Sequence, residues 1–199
     1  MKVDQAADCN IVRAADRPQV DKLPLRGRFQ VEHIRDGKVI GKHDFPNGIT
    51  NEGKNFLLDA MFHAEAALSV WYIGLIDNSG FSSLDAADIY DNIDQAGNNW
   101  DEFKLYTDDA NGDSTTTRPT WTEGSASGQS ITNASPIIFD ITGTGTVKGV
   151  FVVGGTNAQT KGDHTAGSGH KLWATALFTG GDVAVLNGDQ LKVTYSVAA

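Results

Sequence analysis

The residue types able to carry chemistry in this chain are five histidines, a run of carboxylates between Asp85 and Glu102, one cysteine, and the stretch Asp108 to Thr116, "DDANGDSTT". The histidines are His33, His43, His63, His164 and His170, and none forms a helical zinc-binding pair. His164 and His170 flank "TAGSG", a spacer poorly suited to fixing ligand geometry. In "DDANGDSTT" the alternation of Asp109, Asn111 and Asp113 looks like a calcium loop. The glycine falls early, however, and the twelfth position is Thr120 rather than a glutamate, so an Asx-rich turn is expected instead. Gly154-Gly155 and Gly180-Gly181 lack phosphate-loop spacing and a following helix, and read as turns. No "GxSxG" elbow occurs and no spacing brings Ser, His and Asp together, while acidic runs are usually solvated surface. The expectation is a non-enzyme with no catalytic residue, no cofactor and no metal.

The tryptophans are the remaining candidates, because an exposed indole face can stack on a partner or a sugar ring. Trp71 and Trp173 lie inside strand-like runs and read as core. Trp100 and Trp121 lie in a polar region, where they either cover the core or form a surface aromatic contact.

The elements that must position these residues are mostly strands. "GRFQVEHIRDGKVIGKHDF" carries Asp36-Gly37 between two strand-like runs, the signature of a type I′ hairpin. After "PNG", Thr50 or Asn51 can cap a short helix with Phe56, Leu57, Ala60 and Met61 on one face and Glu52 near its positive end. "LSVWYIGLID" is apolar on both faces and reads as the centre of a packed sheet. Residues 78–128 are long, acidic and polar, and are expected to lie over the surface as an insertion or an elaborate loop set. From Ser130 on come "SITNASPIIFDIT", "GTVKGVFVVGG", "KLWATALFT", "DVAVLN" and "QLKVTYSV", with "LNGDQ" expected to close a hairpin between the last two. The fold class is therefore mainly β: an antiparallel sandwich or jelly roll over residues 27–199, with one short helix plugging an open end of the core.

Residues 1–26 show neither period and include Pro18 and Pro24, so they read as an extended N-terminal arm. Either it is a disordered terminus or it orders on a neighbouring subunit, in which case Val12, Arg13, Arg17, Val20, Leu23 and Leu25 are the candidate contact residues. Asp4 and Asp8 interrupt the apolar core a secretory signal needs, and no apolar run approaches the ~20 residues of a membrane helix.

With 199 residues and 40% hydrophobic content the chain can bury a real core. Cys9 is its only cysteine, which excludes an intrachain disulfide and a cysteine zinc cluster. Lys+Arg 16 against Asp+Glu 25 gives a formal net charge of −9, which disfavours direct nucleic-acid binding.

The order of parts, an Asn-Gly turn, the "TNEGKNFLLDAMF" helix, the "WYIGLID" strand followed by an acidic stretch, then "VKGVFVVGG", "LWATALF" and "LNGDQLKVTYSV", resembles structural proteins of tailed bacteriophages over residues 27–199. That resemblance implies a virion protein made in the host cytoplasm. It implies a capsid decoration or cement protein on the outer capsid surface, with the major capsid protein as partner and repeated copies on a lattice or a homo-oligomer. The alternative is a tail, neck or fibre subunit, including a glycan-binding module.

Overall fold

The structure, a computed structural model, describes residues 24–109, 112–165 and 169–199. The first sheet has the order β2(Lys38–Pro46), β1(Arg26–Arg35), β12(Gln190–Ala198), β8(Ile137–Ile141), β6(Tyr106–Asp108), with β7(Ser130–Thr132) also on β12. The second runs β3(Gly48–Ile49), β10(Lys171–Leu177), β9(Gly145–Gly154), β4(Trp71–Asp77), β5(Glu102–Phe103), with β11(Val183–Val185) also on β9. Every strand pairing is antiparallel, and the fold is the expected two-sheet sandwich. The hairpin at Asp36-Gly37 is present, with φ of +50° and +70°, the left-handed pair a type I′ turn requires. Because Arg26 already pairs with Ala198, the sandwich begins one residue before the expected boundary of the arm.

Alternation explains the inner core. Phe29 and Val31 on β1 and Leu191, Val193 and Tyr195 on β12 meet Ile73 and Leu75 on β4 and Val150 and Val152 on β9. The second sheet is buried on its other face too. Tyr72, Ile76, Phe151, Val153 and Leu172 form a second cluster with Tyr90, Ile93, Trp100 and Ala158. Residues 78–128, expected as an insertion or loop set over the surface, lie over the second sheet's outer face and bury Tyr90, Ile93 and Trp100 against it, while β5 and β6 extend the two sheets. A strand apolar on both faces needs apolar side chains on both sides, and this segment brings them.

The turn Leu186–Gln190 is not a hairpin. β11 pairs in the second sheet and β12 in the first, so the turn crosses the sandwich. Asp189, 2% exposed, anchors the crossing. It accepts from the Leu186 N–H at 2.9 Å and from Arg35 Nε and Nη2 at 2.7 Å each, and pairs with His33 Nε2 at 2.8 Å. The Arg35 hydrogen bonds, ahead of those from Leu186 and His33, hold its carboxyl well below the ordinary carboxylate value. A lowered folded value means that this stabilisation is complete above the unfolded value, about 4, and is lost as pH falls through the folded one. Asp189→Asn should therefore cost about 1.5–3 kcal/mol at neutral pH and much less in strong acid. Urea unfolding at several pH values checks this, and a cost independent of pH would contradict it.

Helix α1(Asn51–Phe62) is capped as expected by Thr50, whose Oγ1 accepts from Gly53 N at 3.0 Å. The same hydroxyl donates to the Leu172 carbonyl, and the Glu52 carboxylate accepts from the N–H groups of Leu172 (2.7 Å) and Tyr90 (2.9 Å). These bonds fix the helix start to β10 and to the covering segment. Gly53 is what lets it come so close, since a Cβ there would lie 2.7 Å from the Trp173 carbonyl oxygen. Glycine to alanine inside a helix ordinarily gains about 0.5–1 kcal/mol. Gly53→Ala should instead lose about 1–3 kcal/mol by overpacking. A shift of the urea midpoint upward would refute this.

Candidate functional site

The contact-capable surface lies at the end of the sandwich that α1 covers. Phe56 is buried against the half-buried Trp71 (ring centroids 6.1 Å apart), and Trp71 meets Trp173 edge to face at 5.9 Å. Beside them opens an apolar groove of about 270 Å³, walled by Leu25, Phe56, Trp71, Trp121, Trp173 and Val197, with Glu123 on its rim.

The helix itself does not bury the whole face expected for it. Phe56 is buried and Leu57 and Ala60 are half-buried, but Met61, expected on the same face, is 63% exposed. Leu58 and Phe62 are 55% and 78% exposed. Leu58, Met61 and Phe62 follow i, i+3, i+4 spacing and so share one stripe, and Leu57 and Met61 at i, i+4 join that stripe to the groove wall. Leu57 also lines the groove, so the exposed stripe adjoins it.

The expected contact residues fare differently. Val12, Arg13, Arg17, Val20 and Leu23 lie outside the described residues, whereas Leu25 is half-buried as a wall of the groove. Trp100 and Trp121 are not surface contacts. Trp100 is 1% exposed, packed on Phe151 and donating to Asp88 Oδ2 at 3.0 Å. Trp121 is 6% exposed, donating to Asn133 Oδ1 at 2.8 Å and packed on Tyr195. Each indole N–H finds an acceptor inside, so the ring can be buried without loss. Leu58 and Phe62 were missed, although their spacing with Met61 is readable in the sequence.

The acidic run is not all solvated either. Glu102 and Arg118 form a fully buried ion pair, with Nε to Oε1 at 2.9 Å and Nη2 to Oε2 at 2.8 Å. Tyr106 Oη and Gly162 N also donate to Glu102, while Arg118 donates to Tyr90 Oη and to the carbonyls of Ala158 and Asp163. The pair ties the covering segment to the loop after β9. Next to it burial pulls the Lys161 ammonium down to about 8, and its Nζ lies 3.6 Å above the Tyr106 ring and donates to the Tyr106 carbonyl. Asp88 is likewise engaged, by Trp100 and the Asp85 N–H. These carboxylates work as structural acceptors.

Among the described residues, the contacts of His33 (to Asp189), His63 (to Asp59, 3.8 Å) and His164 (to the Gly162 carbonyl, 3.1 Å) involve no serine or threonine hydroxyl. His170 packs on the Tyr90 ring at 4.8 Å. In the "DDANGD" turn the carboxylates of Asp109 and Asp113 come within 4.8 Å of Asp140 on β8, which accepts from Gln190 Nε2 at 2.6 Å. Asp109 and Asp113 are exposed and Asp140 is half-buried. No described helix is long and apolar enough to cross a membrane. Comparison with protein-family models, with curated proteins and with solved structures gave no match.

Proposed function

We propose that this chain acts by contact, as a decoration or cement protein on the outside of a phage capsid, with its α1 end set against neighbouring major-capsid subunits. The observation that carries the reading is the apolar groove together with the exposed Leu58, Met61 and Phe62 beside it. An apolar patch of this kind on a soluble domain marks an interaction site. The rest of the molecule is consistent with such a role. Three of its buried carboxylates, Glu102, Asp88 and Asp189, are held by fixed donors and serve the fold. The formal charge of −9 favours a position away from packaged DNA. The order of segments adds the phage-like resemblance. A clamp that binds the assembled lattice better than free subunits stabilises the shell by mass action.

The glycan-binding alternative rested on exposed faces of Trp100 and Trp121, and their burial removes that support. The test is to prepare particles with and without this chain and to heat them while following DNA release. Particles lacking it should release DNA at a lower temperature. Identical release curves would reject the cement role in favour of a tail or neck position.

A further inference from the structure

We propose that the polar cavity at the loop after β9 binds one unit of a saccharide, a neutral ligand that carries hydroxyl groups on all sides. The cavity holds about 570 Å³ and is walled by the short helical turn Thr156–Gln159, by the turn that follows it, and by His170 just before β10. Its volume lies within the range of about 300–1,000 Å³ usual for small-molecule sites, but those sites are mostly apolar. Here Thr156, Asn157, Gln159, Thr160, Asp163 and His170 supply hydroxyls, carboxamides, a carboxylate and an imidazole, and among the described residues no aliphatic side chain lines it. The groups are also unspent. The side chains of Thr156, Asn157, Gln159 and Thr160 have no hydrogen-bond partner among the described residues. Nδ1 of His170 is buried and has none either, a state that buried polar atoms seldom keep.

The backbone that carries these groups is fixed from below. Arg118 donates to the carbonyls of Ala158 at 2.7 Å and Asp163 at 3.3 Å, and its own N–H donates to the Gln159 carbonyl at 2.6 Å. The Gly162 N–H is held by Glu102 at 2.6 Å. A buried ion pair contributes no more stability than well-packed apolar residues, so this one has a second task, which is to position the cavity's backbone. His170 is held by its ring contact with Tyr90 and by the strand it precedes. The lining also selects the ligand class. Asp163 lines the cavity and no lysine or arginine does, which disfavours an anion. Asp163 and His170 have no third metal-ligating side chain beside them among the described residues, so a cation lacks a ligand set. Sugar hydroxyls donate and accept at once, and so do the hydroxyls and carboxamides that face them. The site uses neither Trp100 nor Trp121, and the inference goes beyond the capsid reading and stands without it.

The test titrates the isotope-labelled full-length chain with D-glucose, D-galactose, D-mannose and N-acetyl-D-glucosamine in turn, and separately with calcium chloride and with phosphate, while backbone amide resonances are followed. At least one sugar should bind saturably, with a Kd of about 1–30 mM as befits so small a ligand, and should move the amides of residues 156–165 and of His170. Asn157→Ala with Gln159→Ala removes no protein contact, so it should leave the melting temperature unchanged and weaken binding about tenfold or more. Glu102→Leu with Arg118→Met, measured where it is fully folded, should weaken binding as well, because the backbone under the cavity is no longer held. Met61→Asp with Phe62→Asp should bind the sugar as wild type does, so that failure of this site and failure of the capsid surface are read separately. The absence of a saturable shift with every sugar would overturn the proposal, and so would binding undiminished in Asn157→Ala with Gln159→Ala. Shifts at these residues from calcium or phosphate alone would overturn it by giving the cavity to an ion.

Discussion

Replacing Glu102 with alanine is expected to destabilise the protein by about 3–5 kcal/mol, because it strands a buried, permanently charged guanidinium. Both side chains of the Glu102–Arg118 pair are fully buried. The loss also frees Tyr106 Oη and Gly162 N, which donate to the same carboxylate. For a chain of this length the cost corresponds to a fall of about 6–20 °C in melting temperature. Replacing both partners, Glu102→Leu with Arg118→Met, should recover much of it, since paired apolar residues avoid the desolvation penalty. Urea unfolding of the three proteins at neutral pH provides the comparison. A loss below about 1 kcal/mol in Glu102→Ala, the scale of a solvated surface pair, would show that the site admits water.

That pair also shows where the sequence stops being readable. Charged residues look alike whether solvated or buried, and only the meeting of Glu102, Arg118 and the loop after β9 reveals which they are. The apolar run at Trp71–Asp77 announces a strand covered on both faces, but not that the polar-looking residues 78–128 provide one of the covers. "LNGDQ" has the same local chemistry whether its flanking strands share a sheet or not, so the crossing at Asp189 could not be foreseen. Where the determinant is local the reading succeeds. Asp36-Gly37 supplies two left-handed residues, and Thr50 supplies a hydroxyl three residues before the N–H it caps. The helix lies between these cases: its apolar arc is wider than the core it meets, and periodicity does not say that Phe56 is taken by the core while Met61 is left outside.

Met61→Asp with Phe62→Asp should separate stability from function. Both side chains are mostly solvent-exposed, so the melting temperature should move little, within the about 0.5 kcal/mol usual for surface changes. If the stripe is the contact surface, two carboxylates at its centre remove an apolar anchor and bury unpaired charge against the partner. Interface residues of this kind are worth about 2–4 kcal/mol, which lowers affinity about thirty-fold or more. Many weak contacts repeated on a lattice depend on each one, so retention on the particle should fall further than single-site affinity. A double variant that melts early would place these residues in the fold rather than at an interface.

The most direct measurement is a count of chains per purified particle together with their location, made on wild type and on the Met61→Asp, Phe62→Asp variant. The account predicts many wild-type copies spread over the outer shell and loss of the variant from particles. Copies confined to a single vertex or to the tail, or a variant retained as well as wild type, would contradict it.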